Sequence, residues 1–374
     1  AAIGSSGSGK SVFMQELAAS LRGSGAEVVV IDDGRSFQNS CMLQGGRFIR
    51  FNLDLGVCIN PFSMVDHALA AEDLEYQAEC KTLIKLLIEQ MARGSTRATA
   101  EESGVIEQAV TKIWELEGAD GSIDGVAWVM KQEHGERGAN LALSLAAFTS
   151  RGVFGTFFNG PANLEINNPY TVFEMGDLET KKELRAVIIL CILFLVRQRM
   201  KKGGRALKKA LIIDEAWQLL GDGATGEFIE GFARRCRKEG GALITGTQSM
   251  NDYYKTAGAK ACIENSDWTT VLRLKPEALD QLRSDNRLGV DEATMQLLKS
   301  LRTSEGEFSE MLIMGPQGRF LGRLVLDPFS ATLYSTKPDV FAAVERLTGS
   351  GASLPEAVRR VAFGEAPLTA ADKD

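Results

Sequence analysis

The sequence predicts an α/β protein built on a mostly parallel, doubly wound sheet. Three observations carry this expectation. Short continuous β-branched runs alternate with helix-periodic segments, as strands buried on both faces and joined by crossover helices do. A glycine-rich loop near the start opens directly into a helical pattern. A later apolar run ends in the adjacent carboxylates Asp214 and Glu215. At about 150 residues per domain, the 374 residues allow two or three domains.

In chain order, Phe13, Met14, Leu17, Ala18 and Leu21 recur at helical spacing until Gly23-Ser24-Gly25 stops the helix. Residues 28–31 form a β-branched run ending in Asp32-Asp33-Gly34, which reads as a buried parallel strand. Residues 47–52 give a further strand, and Asn60-Pro61 a turn. The texture then changes. Leu83, Ile84, Leu87, Ile88 and Met91 share one helical face, and Val105, Ile106, Ala109, Val110, Ile113 and Trp114 share another. Residues 141–148 give a third helical segment. Without strand alternation here, residues 66–159 are expected to be an all-α insertion in a core made of 1–65 and 160–374.

Strands return at 171–175, before an apolar helix at 184–196 and a Lys/Arg-rich stretch at 197–209. Strands at 210–213 and 242–245 bracket a helix at 227–238. Residues 268–274 form another strand, and 311–314 with 319–326 flank Gly315-Pro316-Gln317-Gly318 as a hairpin. Short helices follow at 340–347 and 354–361.

Composition narrows the function. The net charge of −7, from 42 basic and 49 acidic residues, argues against a wholesale polyanion binder but not against a local basic patch. His67 and His134 are the only histidines, which excludes most His-based zinc sites. The six cysteines are scattered without a CxxC pair, as in a reduced cytosolic compartment. The longest apolar run, 186–196, has eleven residues. A membrane span needs about 20. No signal peptide is expected, because the N-terminus carries a motif at once.

That motif is Gly4-Ser5-Ser6-Gly7-Ser8-Gly9-Lys10-Ser11, which fits G-x-x-x-x-G-K-[ST] at every defined position. Glycines let the backbone wrap phosphates with its N–H groups inward, and the helix that follows adds its positive end. Lys10 reaches the β- and γ-phosphates, and the Ser11 hydroxyl ligates Mg²⁺. The nucleotide-binding set is Gly4, Ser5, Ser6, Gly7, Ser8, Gly9, Lys10, Ser11 and Val12, with ATP and Mg²⁺ as ligands. A rival reading is a dinucleotide fingerprint, with Asp32 or Asp33 as the ribose-binding acid. The plain alternative makes those two a strand-end turn.

In the run 210–213 followed by Asp214 and Glu215, the strand-end Asp214 suits Mg²⁺ and Glu215 suits polarising a water at the γ-phosphate. Gln248 ends the next strand, placed to orient that water or sense phosphate loss. Arg234, Arg235, Arg237 and Lys238 sit before it, either as a helix-end cluster or with one arginine reaching a neighbouring subunit's nucleotide. Residues 197–209 hold seven Lys/Arg and no acid, either a solvated helix end or a patch for nucleic acid, lipid or protein.

Together these strings resemble the TraC-like ATPases, which power conjugation and type IV secretion in bacteria. The resemblance rests on residues 7–17, Val30 to Phe37, Asn60-Pro61-Phe62, Ile212-Ile213-Asp214-Glu215-Ala216-Trp217 and Thr245-Gly246-Thr247-Gln248-Ser249. Residues 155–161 and 333–336 also look like that family. The resemblance implies a RecA-like core with an inserted all-α subdomain, and homo-hexameric rings with nucleotide between subunits. Arg237, eleven residues before Gln248, then matches the interfacial arginine. It implies inner-membrane secretion-channel partners, the coupling protein among them, and a place at the cytoplasmic face of the inner membrane. Nothing matches the family's N-terminal domain, so the chain reads as a C-terminal ATPase piece, for which a monomer is the alternative. Two other readings share the nucleotide motifs. One is a ring-shaped DNA-translocating ATPase like the conjugative coupling proteins, for which Lys201, Lys202 and Lys208 would contact DNA. The other is a non-hydrolysing, nucleotide-dependent scaffold.

Overall fold

A computed structural model describes residues 1–366 except positions 55, 95, 203, 216–223 and 286–289, and the side chains at 202, 224, 225 and 227 are also outside it. Ala216 and Trp217 of the Asp-Glu-Ala-Trp string, and the Lys202 side chain, therefore lie outside the described residues.

Ten strands make one sheet: β1 (Ala2–Ile3), β2 (Glu27–Asp32), β3 (Arg47–Arg50), β4 (Tyr170–Glu174), β5 (Lys209–Asp214), β6 (Gly241–Thr247), β7 (Thr269–Leu272), β8 (Thr303–Ser304), β9 (Phe308–Gly315) and β10 (Gly318–Leu324). Their order is β10-β9-β7-β1-β6-β5-β2-β4-β3, with β8 beside β9. Every pair from β7 to β3 is parallel, while β9 runs antiparallel to β7, β8 and β10. The mostly parallel expectation thus holds, with an antiparallel margin added by the hairpin.

The central strands form because they can be buried on both sides. All six residues of β5 and all five of β4 are buried, as the unbroken apolar runs require. Met14 and Ala18 of the Lys10–Gly23 helix, with Phe37 and Cys41, cover Val28, Val30, Val172 and Ile212 on one face. The helix Lys182–Lys202 packs on the other, against Val29, Ile31, Phe173 and Ile213. Its apolar run has no polar side, so a helix buried all round is the outcome. No helix among the described residues is long and apolar enough to cross a membrane.

The described residues from His67 to Phe148 are helical and contain no strand. Helices Leu74–Arg93, Ala100–Glu117 and Ile123–Glu133 start at Asp73, Thr99 and Ser122, whose side chains accept the first free N–H groups. Their apolar faces join the same cluster as the Lys182–Lys202 helix. Helices Ala257–Glu264, Pro276–Ser284, Glu292–Ser300 and Pro328–Leu333, of six to nine residues, are not among the elements the periodicity marks. The C-terminal helices Pro338–Gly349 and Leu354–Ala362 pack around Leu333 and Tyr334. Tyr334 ties this lobe to the first helix, accepting from Gln15 Nε2 at 3.1 Å and donating to Glu16 Oε2 at 3.1 Å.

Candidate nucleotide site at the carboxyl edge of the sheet

In a parallel sheet the loops that follow the strands gather on one edge, where ligands of open α/β sheets bind. β1 delivers Gly4–Ser11 there, between β6 and β7. The carboxylate strand β5 is not the neighbour of β1: β6 lies between them, with Ile3 beside Thr247 and Gly246 beside Asp214. Gly246 makes this possible. A Cβ there would lie 2.7 Å from Asp214 Oδ1 and would press on the Met14 side chain.

The loop needs its glycines for two different reasons. Gly7 and Gly9 have φ of +72° and +89°, a region that side chains disfavour. A Cβ on Gly9 would also lie 2.9 Å from Ser309 Cβ on β9. The loop is tied down on three sides. Gly4 N donates to Thr247 O at 3.1 Å, Ser5 N to Arg273 O at 3.2 Å, and Thr303 Oγ1 to Ser8 O at 3.3 Å. Ser6 and Gly7 remain exposed at its apex. The Ser8 hydroxyl is buried and has no hydrogen-bond partner among the described residues. Val12 turns its side chain to the C-terminal lobe, so only its backbone faces the loop side.

Four of the anticipated side chains meet. Lys10, buried to 7% exposure, extends Nζ to Asp214 Oδ1 and to Glu215 Oε1. Ser11 Oγ donates to the other Asp214 oxygen at 3.4 Å. Burial works against the Lys10 charge, but the two carboxylates outweigh it and hold Lys10 above the ordinary lysine value. Burial also lifts Glu215 above the ordinary glutamate value, against the pull of Lys10. Glu215 carries φ of +59°, a left-handed backbone for a residue with a side chain. Such strain persists only where surroundings impose it, commonly at functional sites.

Gln248 follows Thr247 at the same edge and is exposed. Its loop is fixed by a residue the sequence did not single out: buried Asp252 accepts from Thr247 Oγ1 at 2.5 Å and from Lys255 Nζ at 2.6 Å. Arg237 stands elsewhere. It lies on a 3₁₀ turn, Cys236–Glu239, just before β6, at the amino edge of the sheet. The seven residues of β6 put it roughly 20 Å from its own phosphate loop. Its side chain is 86% exposed and pairs with Asp267 at 3.4 Å. Arg234 pairs with Glu230 at 2.8 Å and Arg235 bonds Gly231 O at 3.1 Å, so both serve their own helix.

Asp32 closes its own turn, one oxygen accepting from Asp33 N and the other from Phe37 N, both at 3.0 Å. Asp33 pairs with Arg185 at 2.8 Å. Both therefore serve the strand-end turn, and the ribose-binding reading falls away. The basic stretch is similarly engaged. Arg197 pairs with Glu79, Arg199 with Glu27 and Lys201 with Glu79. Buried Lys209 donates to the carbonyls of Met200 and Gly204.

Residues 1–124 and 130–318 match the TraG P-loop domain. The chain belongs to the TraG P-loop domain family. Protein TraC of Escherichia coli K12 is 27% identical over 388 residues, covering 97% of this chain and 42% of TraC. The type IV secretion system protein VirB4 of Bartonella henselae is 23% identical over 264 residues, covering 70% of this chain and 32% of that protein. The chain thus spans less than half the length of these relatives. Among solved structures, VirB4 of Thermoanaerobacter pseudethanolicus superposes with a TM-score of 0.71 at 18% identity, over 88% of this chain and 90% of that one. The plasmid coupling protein TrwB, in complex with a non-hydrolysable ATP analogue, gives 0.57 at 15% identity, over 87% and 84%. This TraG P-loop domain therefore has the RecA-like P-loop NTPase fold and is homologous to TraC and VirB4 of type IV secretion systems.

Proposed function

We propose that this domain hydrolyses ATP as the motor of a bacterial conjugation or type IV secretion system, energising pilus biogenesis and substrate translocation. The observation that carries the reading is Lys10 held between Asp214 and Glu215, with Ser11 at the same carboxylate. Lys10 is a cation waiting on internal anions. The triphosphate replaces those carboxylates as its partner, and Glu215 polarises a water. The Ser11 hydroxyl and Asp214 carboxylate are hard oxygen donors facing each other, which suits Mg²⁺. Mg²⁺ brought with the nucleotide neutralises phosphate charge. Gln248 orients the water or senses the γ-phosphate. Arg237, too far from its own loop, completes a neighbour's site in a homo-hexamer. TrwB has been solved with ADP and Mg²⁺, which supports these ligands.

In this reading 66–159 is an inserted helical subdomain of the core formed by 1–65 and 160–374. The assembly works at the cytoplasmic face of the inner membrane, with secretion-channel proteins and the coupling protein as partners. The alternative of a DNA-translocating ring has the likeness to TrwB in its favour. It gains little from the basic stretch, where Arg197, Arg199 and Lys201 are paired with acids. The deciding experiment is titration of Mg-ATP into wild type and Lys10→Ala. Affinity is expected to fall by at least about tenfold; undiminished affinity refutes the assignment.

A further inference from the structure

Arg273 belongs to no motif, yet the fold places it at the phosphate loop. It follows β7, the strand that flanks β1 on the side away from β6. Its carbonyl accepts from Ser5 N at 3.2 Å, and two residues on Lys275 N donates to Ser5 Oγ at 3.1 Å. The segment 273–275 is therefore stitched along the first half of the loop. The side chain turns the same way. A Cβ added to Gly7, at the exposed apex, would lie 4.0 Å from Arg273 Nη2, and among the described residues beyond its chain neighbours no other atom is as near. Arg273 is exposed, and among the described residues its guanidinium has no hydrogen-bond or ion-pair partner.

The contrast with Lys10 gives this placement meaning. Lys10 is neutralised by two carboxylates, whereas among the described residues no acid pairs with Arg273. A polyanion entering the loop from its open side meets Arg273 beside Gly7 before it can draw Lys10 away from Asp214 and Glu215. A guanidinium presents a planar fork of donors that matches phosphate oxygens.

We infer that Arg273 is a phosphate-binding residue of the same subunit, contacting the polyphosphate chain of the nucleotide across the apex of the loop. This rests on the phosphate-loop reading above. The test is titration calorimetry of wild type, Arg273→Ala, Arg273→Lys and Lys10→Ala with two probes, Mg-ATP and inorganic tripolyphosphate, alongside thermal melting. Arg273→Ala is expected to weaken both probes by about tenfold or more, with an unchanged melting midpoint and with Arg273→Lys in between. If Lys10→Ala loses binding while Arg273→Ala binds both probes like wild type, the Arg273 inference is overturned and the phosphate loop stands. A loss confined to Mg-ATP moves Arg273 to the base or sugar and overturns it too. So does a loss that comes with a lowered midpoint and no recovery in Arg273→Lys. Wild type that binds neither probe overturns the phosphate-loop reading and this one together.

Discussion

The two edges of one sheet handle their charged groups in opposite ways. At the carboxyl edge buried Lys10 and Asp214 and half-buried Glu215 satisfy one another, and the loop around them is tied to β6, to the residue after β7 and to β8. At the amino edge Arg237 projects into solvent and touches one exposed acid. The difference separates groups organised by their own chain from a group the proposed function assigns to a neighbouring subunit. An exposed ion pair contributes little, about 0–1 kcal/mol, so Asp267 costs a competing anion almost nothing to displace. The Lys10 site is another matter, because removing Lys10 leaves the buried Asp214 carboxylate without that cation.

This contrast can be broken at either edge. The largest effect is expected from Arg237→Ala, which should cut turnover on the order of a thousandfold, as an arginine acting across an interface does, and leave Mg-ATP affinity unchanged. Mixing Arg237→Ala with Lys10→Ala subunits should restore part of the turnover, since each supplies what the other lacks. Wild-type turnover by Arg237→Ala alone would remove it from the site. Glu215→Gln is expected to lower the rate of phosphate release about a hundredfold or more while Mg-ATP still binds; an undiminished rate would transfer the base to another residue. The smallest effect concerns stability. Burial, with Glu174 and Asp214 near, raises Asp32 well above its usual 3.8. A raised native value gives stability that is complete below the unfolded value and fades as pH rises through the native one. From pH 3.8 towards neutrality, the melting temperature of wild type should therefore fall relative to Asp32→Asn by a few degrees. A difference that does not change with pH would show that Asp32 titrates normally.

Much of this was legible in the sequence because its signals are local. Phosphate-loop spacing, the runs of β2 and β5, and the hairpin at 315–318 each declare themselves within a dozen residues. The sheet order was not legible: nothing in β6 announces that it lies between β1 and β5, since strand adjacency is fixed by packing over the whole chain. For the same reason Lys10 gives no hint that its partners sit 204 and 205 residues away. Arg273 and Thr303 act on the loop through one carbonyl or one hydroxyl, and Ser309 by filling the space beside Gly9. Such contacts require no particular neighbouring residues and leave no pattern. Asp252 was within reach, five residues after the quoted Thr247, but an acid in a turn is commonplace.

Gly246 has a consequence for how this protein tolerates change. It carries no charge, yet the space a methyl group would take is already held by Asp214 and Met14. The aim of the Asp214 carboxylate is thus set partly by excluded volume, on a strand that carries neither motif. Even the smallest substitution there would disturb the site without touching any residue with a chemical role. A screen confined to charged or nucleophilic positions would pass over a place where inactivation is one methyl group away.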